Sequence, residues 1–120
     1  MSTIDAFEST GHTITPSAAL SPIAHGLGAV PNDIVYFIDC VTPEYGYAAG
    51  ERVFVGSCTS GSGIGSFHTA AADATNVNVQ FANYSSPFLI SNRNSSPAGQ
   101  GGGITPANWT FGFLAKVITP

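Results

Sequence analysis

Four carboxylates occur close together in one stretch of the sequence, and they are its first candidates for chemistry. They are Asp33, Asp39, Glu44 and Glu51. Two carboxylates on either side of a glycosidic bond are the usual machinery of glycosidases, one acting as an acid and the other as a base or nucleophile. The same residues also suit a hairpin, with Asp33 in a turn and Glu51 paired with Arg52 or Arg93. The structural interpretation is favoured, and a polysaccharide-degrading enzyme is kept as a remote alternative.

The other residue types that perform catalysis or bind metals lack the required spacing. The sequence has no Gly-x-Ser-x-Gly elbow to hold a nucleophilic serine. The three histidines, His12, His25 and His68, are too scattered for a metal site within one chain, and a metal shared between subunits is the alternative. We therefore predict a protein without catalytic residues, without a bound metal and without a cofactor.

Two glycine-rich stretches invite comparison with phosphate-binding loops. Residues 26–31 read Gly-Leu-Gly-Ala-Val-Pro, but a dinucleotide fingerprint needs a third small residue where Pro31 stands, and it must open a helix. Residues 60–66 read Ser-Gly-Ser-Gly-Ile-Gly-Ser, and the lysine that a P-loop requires does not follow them. Both stretches therefore argue against nucleotide binding.

The first of these stretches is better explained as a structural corner ahead of an apolar strand. The corner residues are His25, Gly26, Gly28 and Pro31. Glycine adopts positive φ without steric cost, and proline presets the φ of a turn. We expect the His25 imidazole to hydrogen-bond the backbone of this turn, and Leu27 and Val30 to pack inward.

Aromatic residues in a glycine-containing loop suggest a different activity, the binding of carbohydrate. Tyr45 and Tyr47 lie in the 42–50 loop, where exposed rings could stack on sugars, and Glu44 joins them in this candidate glycan site. The 92–106 loop is the other candidate for such a surface.

Charge is scarce in this 120-residue chain, and its balance argues against some partners. Charged residues make up 8%, the formal net charge is −4, and the basic residues are Arg52, Arg93 and Lys116. Such a chain lacks the basic patch that nucleic acids require, so we predict no nucleic-acid partner. The apolar runs are strand-sized and no signal peptide is recognisable. We therefore expect that the chain is made in the cytoplasm and does not insert into a membrane.

Cys40 and Cys58 are expected to be reduced, with a disulfide between them as the alternative.

The apolar pattern predicts strands throughout, because 14 glycines and 8 prolines interrupt nearly every window long enough for a helix. The predicted strands are Ile4–Ser9, His12–Thr15, Ala19–His25, Asp33–Val41, Arg52–Cys58, Ser66–Ala70, Asn76–Phe81, Phe88–Ser91 and Trp109–Ile118. Many short strands indicate one all-β domain over residues 1–120, an antiparallel β-sandwich of jelly-roll or lectin-like type. Within it, residues 1–18 are the candidate for an N-terminal arm or assembly strand.

Two of the predicted strands, Asp33–Val41 and Trp109–Ile118, are apolar on both faces. A small sandwich covers one face of each sheet, so the other face needs a loop, a terminus or a second subunit. We therefore expect a homo-oligomer. The interface candidates are Ile34, Tyr36, Ile38 and Trp109.

Residues 19–58 resemble a β-rich module of tailed bacteriophages and prophages. Its His-Gly-Leu-Gly-x-x-Pro corner matches residues 25–31, and its Gly-Tyr-x-x-Gly-Asp/Glu loop matches residues 46–51. A long apolar strand lies between the two motifs, and the final strand at residues 109–118 is a weaker match. Such modules occur in virion surface proteins such as tail fibres and other appendages. This chain departs from long fibres because it has no coiled-coil or repetitive shaft.

The resemblance implies a non-enzymatic structural protein on the virion surface, as a capsid decoration or part of a head or tail appendage. It also implies a homotrimer that contacts other capsid or tail proteins. The alternative is an adhesin of the tail-fibre-tip type that binds carbohydrate on the host surface.

Overall fold

The computed structural model of this chain describes residues 3–56, 65–66, 68–83, 85–94 and 98–120. The strands in this part are β1 (Thr3–Thr13), β2 (Ile23–Ala24), β3 (Asp33–Cys40), β4 (Arg52–Val55), β5 (Gly65–Ser66), β6 (His68–Ala72), β7 (Asn76–Phe81), β8 (Phe88–Ser91), β9 (Gly101–Gly103) and β10 (Trp109–Thr119). A short 3₁₀ helix, Pro106–Asn108, precedes β10. The predicted all-β class is confirmed. No helix in the described ranges is long and apolar enough to cross a membrane.

The strands form three antiparallel sheets. The four-stranded sheet has the order β1-β10-β3-β4, and the smaller sheets have the orders β2-β7-β6 and β5-β8-β9. β10 and β3 lie at the centre of the four-stranded sheet, paired from Trp109↔Cys40 to Lys116↔Asp33. This arrangement within one compact domain is consistent with a β-sandwich.

The core lies between the four-stranded sheet and the two smaller sheets. Phe111 of β10 contacts the rings of Phe81 and Phe88, with centroids 5.4 and 5.9 Å apart. β7 alternates as its sequence predicts, because Val77, Val79 and Phe81 are buried. Aromatic and β-branched side chains on a pleated surface therefore fill the space between the layers.

The N-terminal strand differs from its prediction. Residues 3–13 form one strand rather than two, and a β-bulge between Ser9 and His12 replaces the predicted turn. Gly11 supplies the positive φ of 76° at this bulge. β1 pairs with β10 from Thr3↔Thr119 to Thr13↔Thr110, so these residues are an edge strand of the chain's own sheet rather than a detached arm.

Two other predicted segments also differ. The strand predicted at Ala19–His25 is reduced to β2 and an isolated bridge between Ala19 and Gln80, because Pro22 interrupts the ladder. The loop predicted at 92–106 contains β9, in which three glycines pair with β8. Hydrophobic alternation cannot reveal a strand made of glycine.

The outer face of the four-stranded sheet points away from the two smaller sheets. Its residues are Ile4, Ala6, Glu8 and Thr13 on β1, Thr110, Gly112, Leu114, Lys116 and Ile118 on β10, Asp33, Val35, Phe37 and Asp39 on β3, and Arg52 and Phe54 on β4. Phe37 is only 1% exposed although it belongs to this face. Its ring lies over Gly112, and the Arg52 guanidinium covers it at 3.6 Å from the ring centroid. The chain thus covers this aromatic side chain without a second subunit.

Candidate functional site

The loop cluster is the region where the three candidate glycan-site residues meet Trp109, one of the interface candidates. It joins the β3–β4 loop, residues 41–51, to the segments around residues 91–93 and 102–109. Its members are Glu44, Tyr45, Tyr47, Glu51, Arg93 and Trp109. Main-chain bonds from Val41 and Thr42 to the Asn108 carbonyl, and from Arg93 to the Tyr45 carbonyl, fix the three segments relative to one another.

Glu44 is fully engaged as a hydrogen-bond acceptor within the loop cluster. Its Oε1 accepts from the Thr105 amide and from Trp109 Nε1, each at 2.9 Å. Its Oε2 accepts from the Thr105 hydroxyl at 2.6 Å and from Asn108 Nδ2 at 3.4 Å. Burial raises the pKa of this carboxyl, but the hydrogen bonds outweigh burial and hold its pKa below the usual value. Glu44 is therefore an ionised cap for the segment before β10.

Tyr45 is held by its hydroxyl and by its backbone. The hydroxyl donates to the Gly103 carbonyl at 2.6 Å, and the ring lies against Gly102, where an added Cβ would be 3.0 Å from the ring. Its φ of 55° is unusual for a residue with a side chain. The half-buried ring thus packs on glycine backbone, which leaves no room for a larger residue at position 102.

Tyr47 lies in the core, which overturns the expectation that it is an exposed ring for sugar stacking. It is 9% exposed, and its hydroxyl donates to the Ser91 carbonyl at 2.8 Å. The Trp109 ring meets it edge-on at 5.7 Å, and the Arg93 guanidinium lies 4.0 Å from its centroid. The chain's own Arg93, Trp109 and Ser91 therefore contact one face, the ring and the polar tip of Tyr47.

Glu51 pairs with Arg93, one of the two partners considered from the sequence. The two side chains form a bidentate pair, with both N···O distances at 3.0 Å. Glu51 Oε1 also accepts from the Ala48 amide at 3.0 Å. The bonds from Arg93 and from this amide lower the pKa of Glu51. Arg52 instead pairs with Asp39, at 2.7 and 3.2 Å.

The functional groups of the loop cluster are used for hydrogen bonds within the chain. Each carboxylate accepts hydrogen bonds from several groups, and both tyrosine hydroxyls donate to carbonyls. Among the described residues, no group of three or more His, Cys, Asp or Glu side chains is placed to hold a metal ion. The cluster fastens the β3–β4 loop to the ends of three other strands.

The corner at residues 25–31 is built around His25. Its Nδ1 accepts from the Leu27 amide at 3.0 Å, and its Nε2 lies 2.8 Å from the Asp73 carbonyl, which fixes the proton on Nε2. Gly26 and Gly28 have φ values of 67° and 76°. Leu27 packs against the core, but Val30 is 56% exposed, so the expectation that it points inward is wrong.

Asn32, which follows this corner, binds the end of β10 through its side chain. Its side-chain Nδ2 donates to the Ile118 carbonyl, and its Oδ1 accepts from the Ile118 amide, both at 2.9 Å. The amide group therefore imitates one more residue of β3 in the ladder with β10.

The interface candidates lie on the inner face of the four-stranded sheet. Ile38 and Trp109 are 0% and 2% exposed, so the expectation that they contact a second subunit is wrong. Ile34 and Tyr36 are half-buried and pack against the core. Periodicity separated the two faces of β3 correctly, but it could not show which face the rest of the chain covers.

Cys40 is buried and free, and burial raises the pKa of its thiol. Its Sγ lies 3.3 Å from the Thr42 carbonyl. Cys58, the other half of the alternative disulfide, lies outside the described residues.

His68 is a buried titratable residue that sequence analysis left without a role. It is 6% exposed, and its ring contacts those of Tyr36, Phe111 and Phe88 at 5.0, 5.3 and 5.6 Å. Among the described residues, its Nδ1 has no hydrogen-bond partner. Burial lowers the pKa of His68 to about 4, so the imidazole is neutral at pH 7.

Comparison with known proteins identified no relative of this chain. No family model matches it, and no curated protein or solved structure is significantly similar to it.

Proposed function

We propose that this chain is a non-enzymatic structural module on the surface of a tailed bacteriophage particle. It serves as a capsid decoration or as part of a head or tail appendage, and it assembles with copies of itself, as a trimer by analogy with the module that residues 19–58 resemble. Other capsid or tail proteins hold it on the particle.

One contrast in the structure carries this proposal. The carboxylates and tyrosine hydroxyls of the loop cluster, which are the candidate functional groups, hold loops in place through hydrogen bonds. Glu44 alone accepts four of them. The outer face of the four-stranded sheet, in contrast, presents apolar side chains to solvent, and Phe54 is 68% exposed. Engaged polar groups and an exposed apolar surface are more typical of an assembly component than of an enzyme.

Labelling of intact particles tests the proposal. Antibodies raised against the purified chain are applied to particles released from the bacterial strain that carries the gene, and bound gold is located by electron microscopy. We expect gold at one fixed position on the particle, and peptides of this chain in the purified particle at a constant ratio to the major capsid protein. Particles free of both would refute the proposal.

The adhesin is a second candidate because Tyr45, unlike Tyr47, is only half-buried in the loop cluster. A glycan array with the purified chain tests this candidate. Saturable binding that Tyr45→Ala abolishes would favour the adhesin. Tyr45→Phe is the matched control for the bond to Gly103, since it removes the hydroxyl and keeps the ring.

A further inference from the structure

The outer face of the four-stranded sheet has an apolar band with charged pairs on both sides. Leu114 of β10 and Val35 of β3 lie directly opposite each other in the ladder. Phe54 of β4 lies opposite Phe37 of β3. Leu114 and Val35 are half-buried, whereas Phe54 is 68% exposed. Phe54 meets the Phe37 ring edge-on at 6.2 Å, and Leu114 and Val35 lie outside the core cluster formed by the described residues. The band therefore keeps apolar area that the fold itself does not use.

The covered position of Phe37 makes this band suitable for a flat partner. The ring fills the notch left by Gly112 and lies beneath Arg52, so it does not project from the sheet. A second sheet on this face would lie at the usual distance of about 10 Å between packed sheets.

The charges on this face are arranged in a self-complementary way. Lys116 on β10 and Asp33 on β3 are neighbours in the ladder, and their charged atoms are 3.3 Å apart. A two-fold axis parallel to the strands and midway between β10 and β3 places β10 over the partner's β3. Each Lys116 then faces the partner's Asp33, and each Leu114 faces the partner's Val35. A two-fold axis perpendicular to the strands would instead place carboxylates of β3 over carboxylates of the partner's β3, at Asp33 and Asp39.

We propose that two copies of this chain pack the outer faces of their four-stranded sheets together about that two-fold axis. This inference rests on the self-assembly in the proposed function and names the surface that performs it. The contact is isologous, so its smallest product is a dimer, and it would join two trimers into a hexamer if the proposed trimer forms elsewhere on the chain.

The size of the face predicts how strong this contact is. Four strands about 4.8 Å apart and a length of about 20 Å give a footprint of about 400 Å² per copy. A standard stable interface buries about 800 Å² per partner. We therefore expect a weak, transient association, in which the fraction of dimer rises with protein concentration.

Sedimentation equilibrium of the purified full chain from about 1 µM to 1 mM measures this association. We expect the average mass to rise with concentration, and Phe54→Asp to raise the dissociation constant at least tenfold. Val30→Ser is the matched control, because Val30 is 56% exposed but lies in the corner loop outside the outer face. Circular dichroism and thermal melting establish that each variant is folded.

Charge reversal separates the contact between copies from the ion pair within one chain. Lys116→Asp alone and Asp33→Lys alone each place like charges across the two-fold axis, so each variant is expected to be monomeric. An equimolar mixture of the two variants restores opposite charges across the axis, although each chain keeps its internal repulsion. We therefore expect the mixture to form a heterodimer, and the double variant Lys116→Asp/Asp33→Lys to form a homodimer.

The proposal is overturned if the native chain stays monomeric over the whole range, or if its mass is insensitive to Phe54→Asp and to the charge reversals. These results are independent of particle labelling. A dimer in solution with unlabelled particles would reject the proposed function alone, and labelled particles with a monomeric chain would reject this surface alone.

Discussion

The buried imidazole of His68 makes the stability of this protein sensitive to mild acid. In the folded chain its pKa is about 4, because burial among Tyr36, Phe111 and Phe88 penalises the charged form. In the unfolded chain the imidazole has its ordinary pKa of about 6.5. As the pH falls, the imidazole of the unfolded state therefore binds a proton before that of the folded state. The free energy of unfolding decreases from about pH 6.5 down to about pH 4.

The size of this effect follows from the difference between the two pKa values. Each pKa unit corresponds to about 1.4 kcal/mol, so the full difference corresponds to about 3 kcal/mol of unfolding free energy. This is a large share of the 5–15 kcal/mol, roughly, that holds an ordinary domain folded. The carboxyls with lowered pKa values, Glu44, Glu51 and Asp73, lose their stabilising contribution only below their ordinary values of 4.5, 4.5 and 3.8. The change in unfolding free energy between pH 6.5 and about 4.5 therefore comes mainly from histidine.

Urea unfolding at several pH values measures this contribution, with fluorescence of the single, buried Trp109 as the probe. We expect the native chain to lose about 2–3 kcal/mol more than His68→Phe between pH 6.5 and 4.5. The phenyl ring preserves the edge-on aromatic contacts and removes the unpaired Nδ1, so this variant is also expected to be more stable at pH 7 by about 1 kcal/mol.

Two further variants make this result interpretable. His68→Leu gives the same comparison if the larger phenyl ring strains the core. Thr69→Val is the matched control on the same strand, because residue 69 is exposed and does not titrate. The half-buried His12, whose pKa burial also lowers, is unchanged in every variant and cancels in the difference. Parallel pH profiles for the native chain and both His68 variants would refute the reasoning.

Three other substitutions test the packing and hydrogen bonds that position the outer face and the loop cluster. Gly112→Ala places a Cβ against the Phe37 ring and 2.8 Å from the Ser9 carbonyl oxygen, so we expect a loss of about 1–3 kcal/mol in urea unfolding, partly recovered by adding Phe37→Leu. Glu44→Gln replaces an accepting oxygen by an NH2 group that faces the donors of residues 105–109, so we expect the free energy of unfolding to fall by about 1–3 kcal/mol. An unchanged urea midpoint would contradict the role of Glu44 as an acceptor for this segment. Asn32→Ala removes both bonds to Ile118 and should speed hydrogen exchange of the Ile118 amide; unchanged exchange would contradict this role of Asn32.

The sequence was a good guide wherever a local rule controls the backbone. The alternation of Val77, Val79 and Phe81 with polar residues predicted a strand with one buried face, and the structure has β7 there. Gly26 and Gly28 adopt positive φ because residues with a Cβ do so only at a cost. Both features depend on neighbours in the chain, so they can be recognised without knowledge of the fold.

The roles of the tyrosines could not be recognised in this way. Tyr47 lies in a polar, glycine-containing loop, which is typical of an exposed ring, yet Trp109 and Arg93 enclose it. These partners are more than 40 residues away in the sequence. Pairing of β10 with β3 brings Trp109 to the loop, and the bond from the Arg93 amide to the Tyr45 carbonyl brings Arg93 there.

The doubly apolar strand Asp33–Val41 shows the division between sequence and structure most clearly. By itself the sequence determined that both faces of this strand carry apolar side chains, because side chains alternate between faces at every residue. Only the tertiary structure decided what covers each face. The smaller sheets cover Ile38, while Gly112 and Arg52 of the same sheet cover Phe37. The cover comes from strands distant in sequence, whose register is set by the packing of the whole domain and not by the strand itself.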